Sequence, residues 1–481
     1  MFNALLAKSR TRKAELFSSL HSRKATLSSL AIVFVLAVAV RAGYIWCLSP
    51  SFAEWPDSRH IERIAWRLAS EQGYDDASEN PPAIYRAPLT PYLISGVYRV
   101  LGHRPLAAQY LMAFLGALGV VALCYSATHL FGQRAGILSA IVAALYPYFV
   151  YLTGVFYPET IGVPLVSACA AFFVMNVGRT EMRALGMGVL GGMVGFCALC
   201  RPNWLLTMPL VIAAVPVCRW WRGRSNSPRL VALAFLCWLA CWTPWTIRNA
   251  LVYHGLVPIT ASGGYNFYLG NAPDATWDSK TSVSKPTLPP MLGSVEQDGH
   301  WYRLGWERVR DRPARALWLW MGRLLAEWQP FPLIKDHAVA SGNILIASTT
   351  YGCLLAVALV GAARCARLRS REILALLLVA LVDTCLCAVF IAPGRLRIPF
   401  DGLLILAAAS LSSSDAPHQA LRLMQAAMRP FRSLMAREIG PRMDRNIAKP
   451  PSSREAPKPR LELRSFLSPQ AVPQPIYCED S

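Results

Sequence analysis

The chain has 481 residues and a net charge of +20, and 54% of its residues are hydrophobic against 16% charged. A soluble protein of this length carries about 25% charged residues, so a soluble globular enzyme is excluded. The apolar residues come in blocks near the ~20 residues a helix needs to cross a bilayer. Such blocks must be helices, because lipid offers no partners to unpaired backbone groups, and no run has the alternation of barrel strands.

The first block, Leu27 to Cys47, follows a basic stretch containing Lys8, Arg10, Arg12, Lys13, Arg23 and Lys24. It is long and lacks a small-residue cleavage site, which predicts a retained first span rather than a cleaved signal. Arg41, near its far end, is placed to snorkel. Further spans are predicted at 107–130, 136–152, 160–177, 184–200, 203–218, 230–246, 342–363, 372–391 and 400–413, about ten in all.

Two segments between spans are too long to be connectors. In 48–106, Trp55-Pro56-Asp57 leads into a helical stretch from Ser58 to Gln72. Ile61, Ile64, Ala65 and Leu68 share one face there, and Arg59, Arg63 and Arg67 another. That is the pattern of a helix lying in the membrane interface. The apolar stretch 89–101 is too short to span and is predicted to be re-entrant or interfacial. In 247–341, Ser262-Gly263-Gly264-Tyr265-Asn266 and Gly270-Asn271-Ala272-Pro273 are turn signals. Between Trp301 and Trp328, Pro313 divides a Trp- and Arg-rich region into two interfacial helices.

Charge orients the whole. With a cytoplasmic N-terminus, the segments 1–26, 132–135, 178–184, 219–229, 364–372 and 414–481 carry +18 of the +20, leaving +2 for the rest. The positive-inside bias favours that alternation, and an even number of spans returns the C-terminus to the cytoplasm. The expected organisation is a basic N-terminus over 1–26, a membrane domain over 27–413 with external loops 48–106 and 247–341, and a basic, partly disordered tail over 414–481. The expected location is the plasma (inner) membrane. Orientation accounts for the basic balance, so nucleic acid is not an expected partner.

Of thirteen cysteines, Cys478 lies in the tail and the rest lie within or beside predicted spans, with none in the long loops. No disulfide framework is implied, and Cys197 and Cys200 read as small packing residues. The eight histidines form no ligand cluster.

Two acids and several arginines can carry chemistry. Asp57, just beyond the first span, is placed to take a proton from an acceptor hydroxyl near the interface; an N-terminal cap of the following helix is the alternative. Glu159, in Tyr157-Pro158-Glu159 between two spans, is costly to desolvate and thus a functional candidate, or else a partner of a helix N-terminus. Arg86, Arg201, Arg248, Arg395 and Arg397 all fall at the external end of a span or loop. Together they suit a phosphate headgroup, while singly each is able to snorkel to ordinary lipid.

These residues carry a resemblance. Pro56-Asp57, Arg86-Ala87-Pro88-Leu89-Thr90-Pro91-Tyr92, and Tyr146-Pro147 followed by Pro158-Glu159-Thr160 resemble the GT-C glycosyltransferases. More narrowly they are similar to the bacterial branch of the protein O-mannosyltransferase and aminoarabinose-transferase clan (glycosyltransferase family 39-like). So do Arg201-Pro202, Pro244-Trp245-Thr246-Ile247-Arg248-Asn249, Gly263-Gly264-Tyr265-Asn266 with Gly270-Asn271, and Arg395-Leu396-Arg397-Ile398-Pro399, in order over roughly 30–411.

The resemblance implies an all-α integral membrane protein of GT-C type. It implies a hexosyl- or pentosyltransferase with a polyprenyl-phosphate sugar as donor and a glycan, lipid or protein as acceptor, working on the external face. The acid matching the family's catalytic base is Asp57, with Glu159 a second candidate. The lipid phosphate falls to Arg86 and Arg248, and less closely to Arg395 and Arg397. The sequence departs from many relatives in having only Glu54 as a nearby second acid, arginine at 86 where some have histidine or lysine, and Leu396 where tyrosine is common. A sugar phosphate already has a good leaving group, so one carboxylate and a cationic clamp suffice. A divalent cation is compatible with such chemistry, but no dedicated site is visible. A polytopic transporter or flippase is the competing reading; it would favour ionisable groups at mid-membrane, where only Asp383 is found.

Overall fold

A computed structural model describes residues 28–47, 55–75, 83–277, 294–329, 341–368, 370–391 and 394–413. The expected N-terminal segment 1–26 and tail 414–481, and Glu54, lie outside them. The described residues form helices and turns, without strands. In chain order the helices are α1 (Ser28–Cys47), α2 (Pro56–Ala69), α3 (Leu89–Leu101), α4 (Pro105–Phe131), α5 (Gln133–Leu145) and α6 (Pro147–Tyr151). Then come α7 (Pro158–Gly178), α8 (Ala184–Cys200), α9 (Trp204–Thr207), α10 (Pro209–Trp221), α11 (Pro228–Tyr253) and α12 (Gly263–Asn271). The last are α13 (Ser294–Asp311), α14 (Pro313–Trp328), α15 (Ser341–Arg367), α16 (Arg371–Val389) and α17 (Asp401–Ala409), with a 3-10 segment at Gly394–Phe400.

Seven of these helices open on proline, at 56, 105, 147, 158, 209, 228 and 313. The first turn of a helix has no use for the missing N–H, so proline starts helices there without loss. Among the described residues, seven helical stretches are long and apolar enough to cross a membrane, or eight if the bent pair around Tyr146 is one span. The protein is thus a multi-pass membrane protein, and three of the expected spans differ from expectation among the described residues. The expected span 136–152 is broken by Pro147 into α5 and a segment bent by 54°. Helix α8 is apolar but short, and the expected span 400–413 holds only the nine-residue α17 and a turn.

The break explains Arg41. Pro147 cannot continue the ladder of α5, so carbonyls near its end need other donors. Arg41 does not snorkel: it is fully buried and donates to the carbonyls of Ala144 and Ala143, both at 3.4 Å, and of Ala37 at 3.2 Å. In lipid a protein cation is the available donor for such freed carbonyls.

Helix α4 packs on α5 and α7, α7 on α8, and α8 on α11. The α8–α11 approach depends on glycine: a Cβ on Gly191 would fall 2.1 Å from the Ala234 carbonyl oxygen. Small residues of this kind let helices associate closely where no hydrophobic effect drives them together. Cys197 and Cys200 are buried in the same region, and all described cysteines are free.

The helices of the two long segments form close to the expected positions. Ile61, Ile64, Ala65 and Leu68 are the buried face of α2, the 89–101 stretch is the single helix α3, and Arg312 separates α13 from α14. One reading changes: Ser262–Asn266 does not turn but opens the short helix α12, which Gly270-Asn271 closes.

Helix α7 divides the polar groups of the domain. At its C-terminal end Arg219 donates to the carbonyls of Asn176, Arg179 and Ser225, and Arg222 pairs with Glu372. Three of the basic segments expected on one face are thus tied together. At the N-terminal end of α7, some 30 Å away for a 21-residue helix, lies Glu159 and the cluster described next.

Candidate active site

Asp57 is the second residue of α2. Trp55 occupies the N-cap position and no side chain caps the helix, so the capping alternative does not describe it. Its carboxylate faces two arginines instead. Oδ1 accepts from Arg86 Nη2 at 2.7 Å and Oδ2 from Arg395 Nη2 at 2.6 Å. Burial alone would lift this carboxyl, but the Arg86 and Arg395 guanidiniums outweigh it and hold the group well below the usual carboxylate range.

Each arginine is itself positioned. Arg86 follows the 3-10 turn Ala83–Tyr85, and its Nε donates to His60 Nδ1 at 2.9 Å. Burial, with the Arg86 charge beside it, lowers the His60 ring to about 4, so near neutral pH the imidazole is uncharged and acts as acceptor at Nδ1. The Arg86 carbonyl accepts from Tyr74 Oη at 2.9 Å. Arg395 comes from the 3-10 segment before α17 and lies over the Tyr157 ring, 4.5 Å from its centroid.

Glu159 begins α7 and is 2% exposed. Its Oε1 accepts from Arg201 Nη1 at 2.9 Å and lies 3.7 Å from Arg395 Nε. Arg201, at the end of α8, packs over Trp204 at 5.7 Å. A further bond locks the frame: the Phe156 amide donates to Ser58 Oγ at 2.9 Å, fixing α2 against the start of α7.

Asp57, Glu159, Arg86, Arg201 and Arg395 therefore form one network drawn from five parts of the chain. Arg248 and Arg397 have partners of their own. Arg248 pairs with Asp75, fenced by Tyr74, Trp245 and Tyr253 with its guanidinium carbon 5.5, 4.9 and 5.5 Å from their ring centres. Arg397, 5% exposed, lies 3.5 Å from the Tyr351 ring centre and 3.9 Å from Asp401, whose other oxygen accepts from Tyr146 at 2.8 Å.

Two groups escaped the sequence reading. His60 stands three residues after Asp57 on α2, a helical spacing that brings side chains together and was available as a signal. Glu327 on α14, 2% exposed, is pushed up to about 8 by burial, with the Asp383 charge adding to it. Nothing in its Trp-rich surroundings in sequence marks it. Asp383 itself accepts from Asn203 at 2.8 Å and Thr207 at 2.7 Å, bonds that fasten α9 to α16. The one mid-span acid thus has a structural use, and the transporter reading loses its main support. Among the described residues, no three His, Cys, Asp or Glu side chains gather as a metal site.

Residues 85–247 match the family model described as "Dolichyl-phosphate-mannose-protein mannosyltransferase". No curated protein matches the chain. Among solved structures, it is similar to the oligosaccharyltransferase AglB from Archaeoglobus fulgidus, with an inhibitory peptide and a dolichol-phosphate, at 14% identity and a TM-score of 0.49. That alignment covers 87% of this chain and 54% of AglB, so the chain spans about half the length of that enzyme. It is also similar to ArnT from Cupriavidus metallidurans bound to undecaprenyl phosphate, at 15% identity and a TM-score of 0.37, covering 88% of this chain and 82% of ArnT. The family match contains Arg86, Glu159 and Arg201 within its span.

Proposed function

We propose that the protein transfers a sugar from a polyprenyl-phosphate donor to an acceptor on the external face of the plasma (inner) membrane, with both termini cytoplasmic. Asp57 is the general base. Arg86 and Arg395 hold the phosphate, and Glu159 orients Arg395 and Arg201. The observation that carries this reading is the contact of one ionised carboxylate with two guanidiniums distant from each other in sequence. The donor class accords with the sugar phosphate of the matched family description.

The reaction asks little of the protein beyond positioning and charge. The bond from the anomeric carbon to the phosphate oxygen breaks, and its electron pair stays on the phosphate. The acceptor oxygen or nitrogen bonds to the anomeric carbon, and its proton passes to Asp57. A single displacement of this kind inverts the anomeric centre. The guanidiniums take up the charge that develops on the leaving phosphate. Arg248 and Arg397 lie outside the network of Asp57 and Glu159, and are assigned to holding the loop at Asp75 and the segment before α17.

The test is to incubate the purified protein with a panel of radiolabelled polyprenyl-phosphate sugars and membrane extract as acceptor. Transfer from at least one donor, with release of polyprenyl phosphate, is expected. Transport of donor across vesicles without any transfer would favour the flippase reading instead.

A further inference from the structure

Two features of the network bear on the order of events. Each oxygen of Asp57 is engaged by a different guanidinium, at 2.7 and 2.6 Å. These are the same two guanidiniums that the proposed function gives to the phosphate. A carboxylate held in this way is a poor base, because its basicity is spent on cations.

The charge of the network is also uneven. Arg86, Arg201 and Arg395 make ion-pair contacts with Asp57 and Glu159, an excess of one cation among these five groups, with Asp383 acting on Arg201 from outside the contacts. His60 adds nothing near neutral pH, since its ring is lowered to about 4 chiefly by burial. Arg397 balances Asp401 separately. A half-buried cluster of this sign has room for one more negative charge.

We infer that the donor's phosphate and the Asp57 carboxylate compete for Arg86 and Arg395, so that donor binding itself releases Asp57 to act as base. This rests on the reading of Asp57 as the base and of the two arginines as the clamp. A sugar phosphodiester carries a single negative charge, which matches the excess cation among the five contacting groups. During transfer the proton from the acceptor neutralises Asp57 while the phosphate, losing the sugar, gains one negative charge. The total charge of cluster and ligand is the same before and after the step, and no new charge is stranded in the low-dielectric site. Without donor, Asp57 stays paired and does not activate water or a stray hydroxyl. The ligand class that fits is a monoanionic phosphodiester with a lipid arm.

The competition has a signature opposite to that of an ordinary binding residue. Removing Asp57 should tighten binding of the phosphate, because the arginines no longer have to leave a partner. The probe is the methyl ester of undecaprenyl phosphate, a monoanionic lipid phosphodiester, in mixed micelles, bound to the full chain, with folding followed by gel filtration and thermal melting. Asp57→Asn, and Asp57→Ala should the first variant not fold, are expected to bind about tenfold more tightly than wild type. In an Arg395→Gln background the gain should shrink to about twofold or less, since one contested cation is gone. A tenfold gain that persists there overturns the competition and leaves only repulsion through space. Unchanged or weaker binding in the Asp57 variants also overturns it. Transfer by the same variants separates the two claims. An inactive variant with unchanged binding defeats the competition but keeps the base, whereas an active variant with tighter binding keeps the competition and defeats the base.

Discussion

Arg395 Nη2 lies 2.6 Å from Asp57 Oδ2 although 338 positions separate the two residues. One stands just after α1 and the other just before α17, so the contact closes the helical domain around the cluster. A contact this distant in sequence makes the site sensitive to both ends of the domain.

The clamp reading makes Arg86 and Arg395 the residues whose loss weakens donor binding. Arg86→Ala or Arg395→Ala should each cost about 1.5–3 kcal/mol, the worth of a hydrogen bond to a charged group. Lysine at either position should recover only part, because it keeps the charge and loses the planar fork. Arg248→Ala should affect stability more than donor affinity, since Arg248 holds Asp75 and lies outside the network of Asp57 and Glu159. Equilibrium binding of the donor lipid by the three alanine variants checks this. Equal losses of affinity in all three would contradict the division of roles.

Much of this arrangement could be read in the sequence and some of it could not. The face of α2 and the two helices around Pro313 follow from periodicity and proline, which are local signals. Asp57 and Glu159 stood out as carboxylates beside apolar spans. The pairing of Arg395 with Asp57 did not, because several arginines occupied equivalent positions at span ends and only the folded chain selects among them. The break at Tyr146 was hidden by continuous hydrophobicity over 136–152. Pro147 was visible, but its consequence depends on Arg41 reaching the freed carbonyls from another helix.

The buried pair of Glu159 and Arg201 should be a stability determinant. Glu159 is 2% exposed and the Arg201 side chain 12% exposed. Arg201→Ala leaves a buried carboxylate with less compensation, a loss of about 3–5 kcal/mol for a buried pair. A double variant, Glu159→Gln with Arg201→Gln, should recover most of the melting temperature while remaining impaired in transfer. Thermal unfolding in detergent measures both, and an unchanged melting temperature for Arg201→Ala would contradict the assignment.

The depressed Asp57 carboxyl fixes the pH profile. Its arginines keep it ionised in the free protein as pH falls below the usual carboxylate value near 4. The profile of kcat/KM reports the free enzyme, so it should stay level from pH 7 to about pH 4. The profile of kcat reports the loaded complex, in which the arginines have moved to the phosphate, and its acid limb should lie at higher pH. Superimposable acid limbs would contradict the exchange of partners. The same depression means that ionised Asp57 stabilises the fold above the unfolded carboxylate pKa, and that this stability fades as pH falls through the folded value.

The charge split predicts the orientation. Reporter fusions after Ser78 and within Thr281 to Ser294 should read external, and fusions within 222–227 and 367–371 cytoplasmic. A cytoplasmic reading from either large loop would move the cluster to the other face and leave an external acceptor out of reach.

Transfer by the Asp57→Asn variant tests the central claim most directly. Asparagine preserves the size of the side chain and cannot accept a proton from the acceptor. Loss of a general base costs about 10²- to 10⁴-fold in rate. The account predicts a folded protein that binds donor lipid at least as tightly as wild type and transfers sugar at least about 100-fold more slowly. Transfer at the wild-type rate would remove Asp57 from the chemistry and leave its two ion pairs a purely structural role.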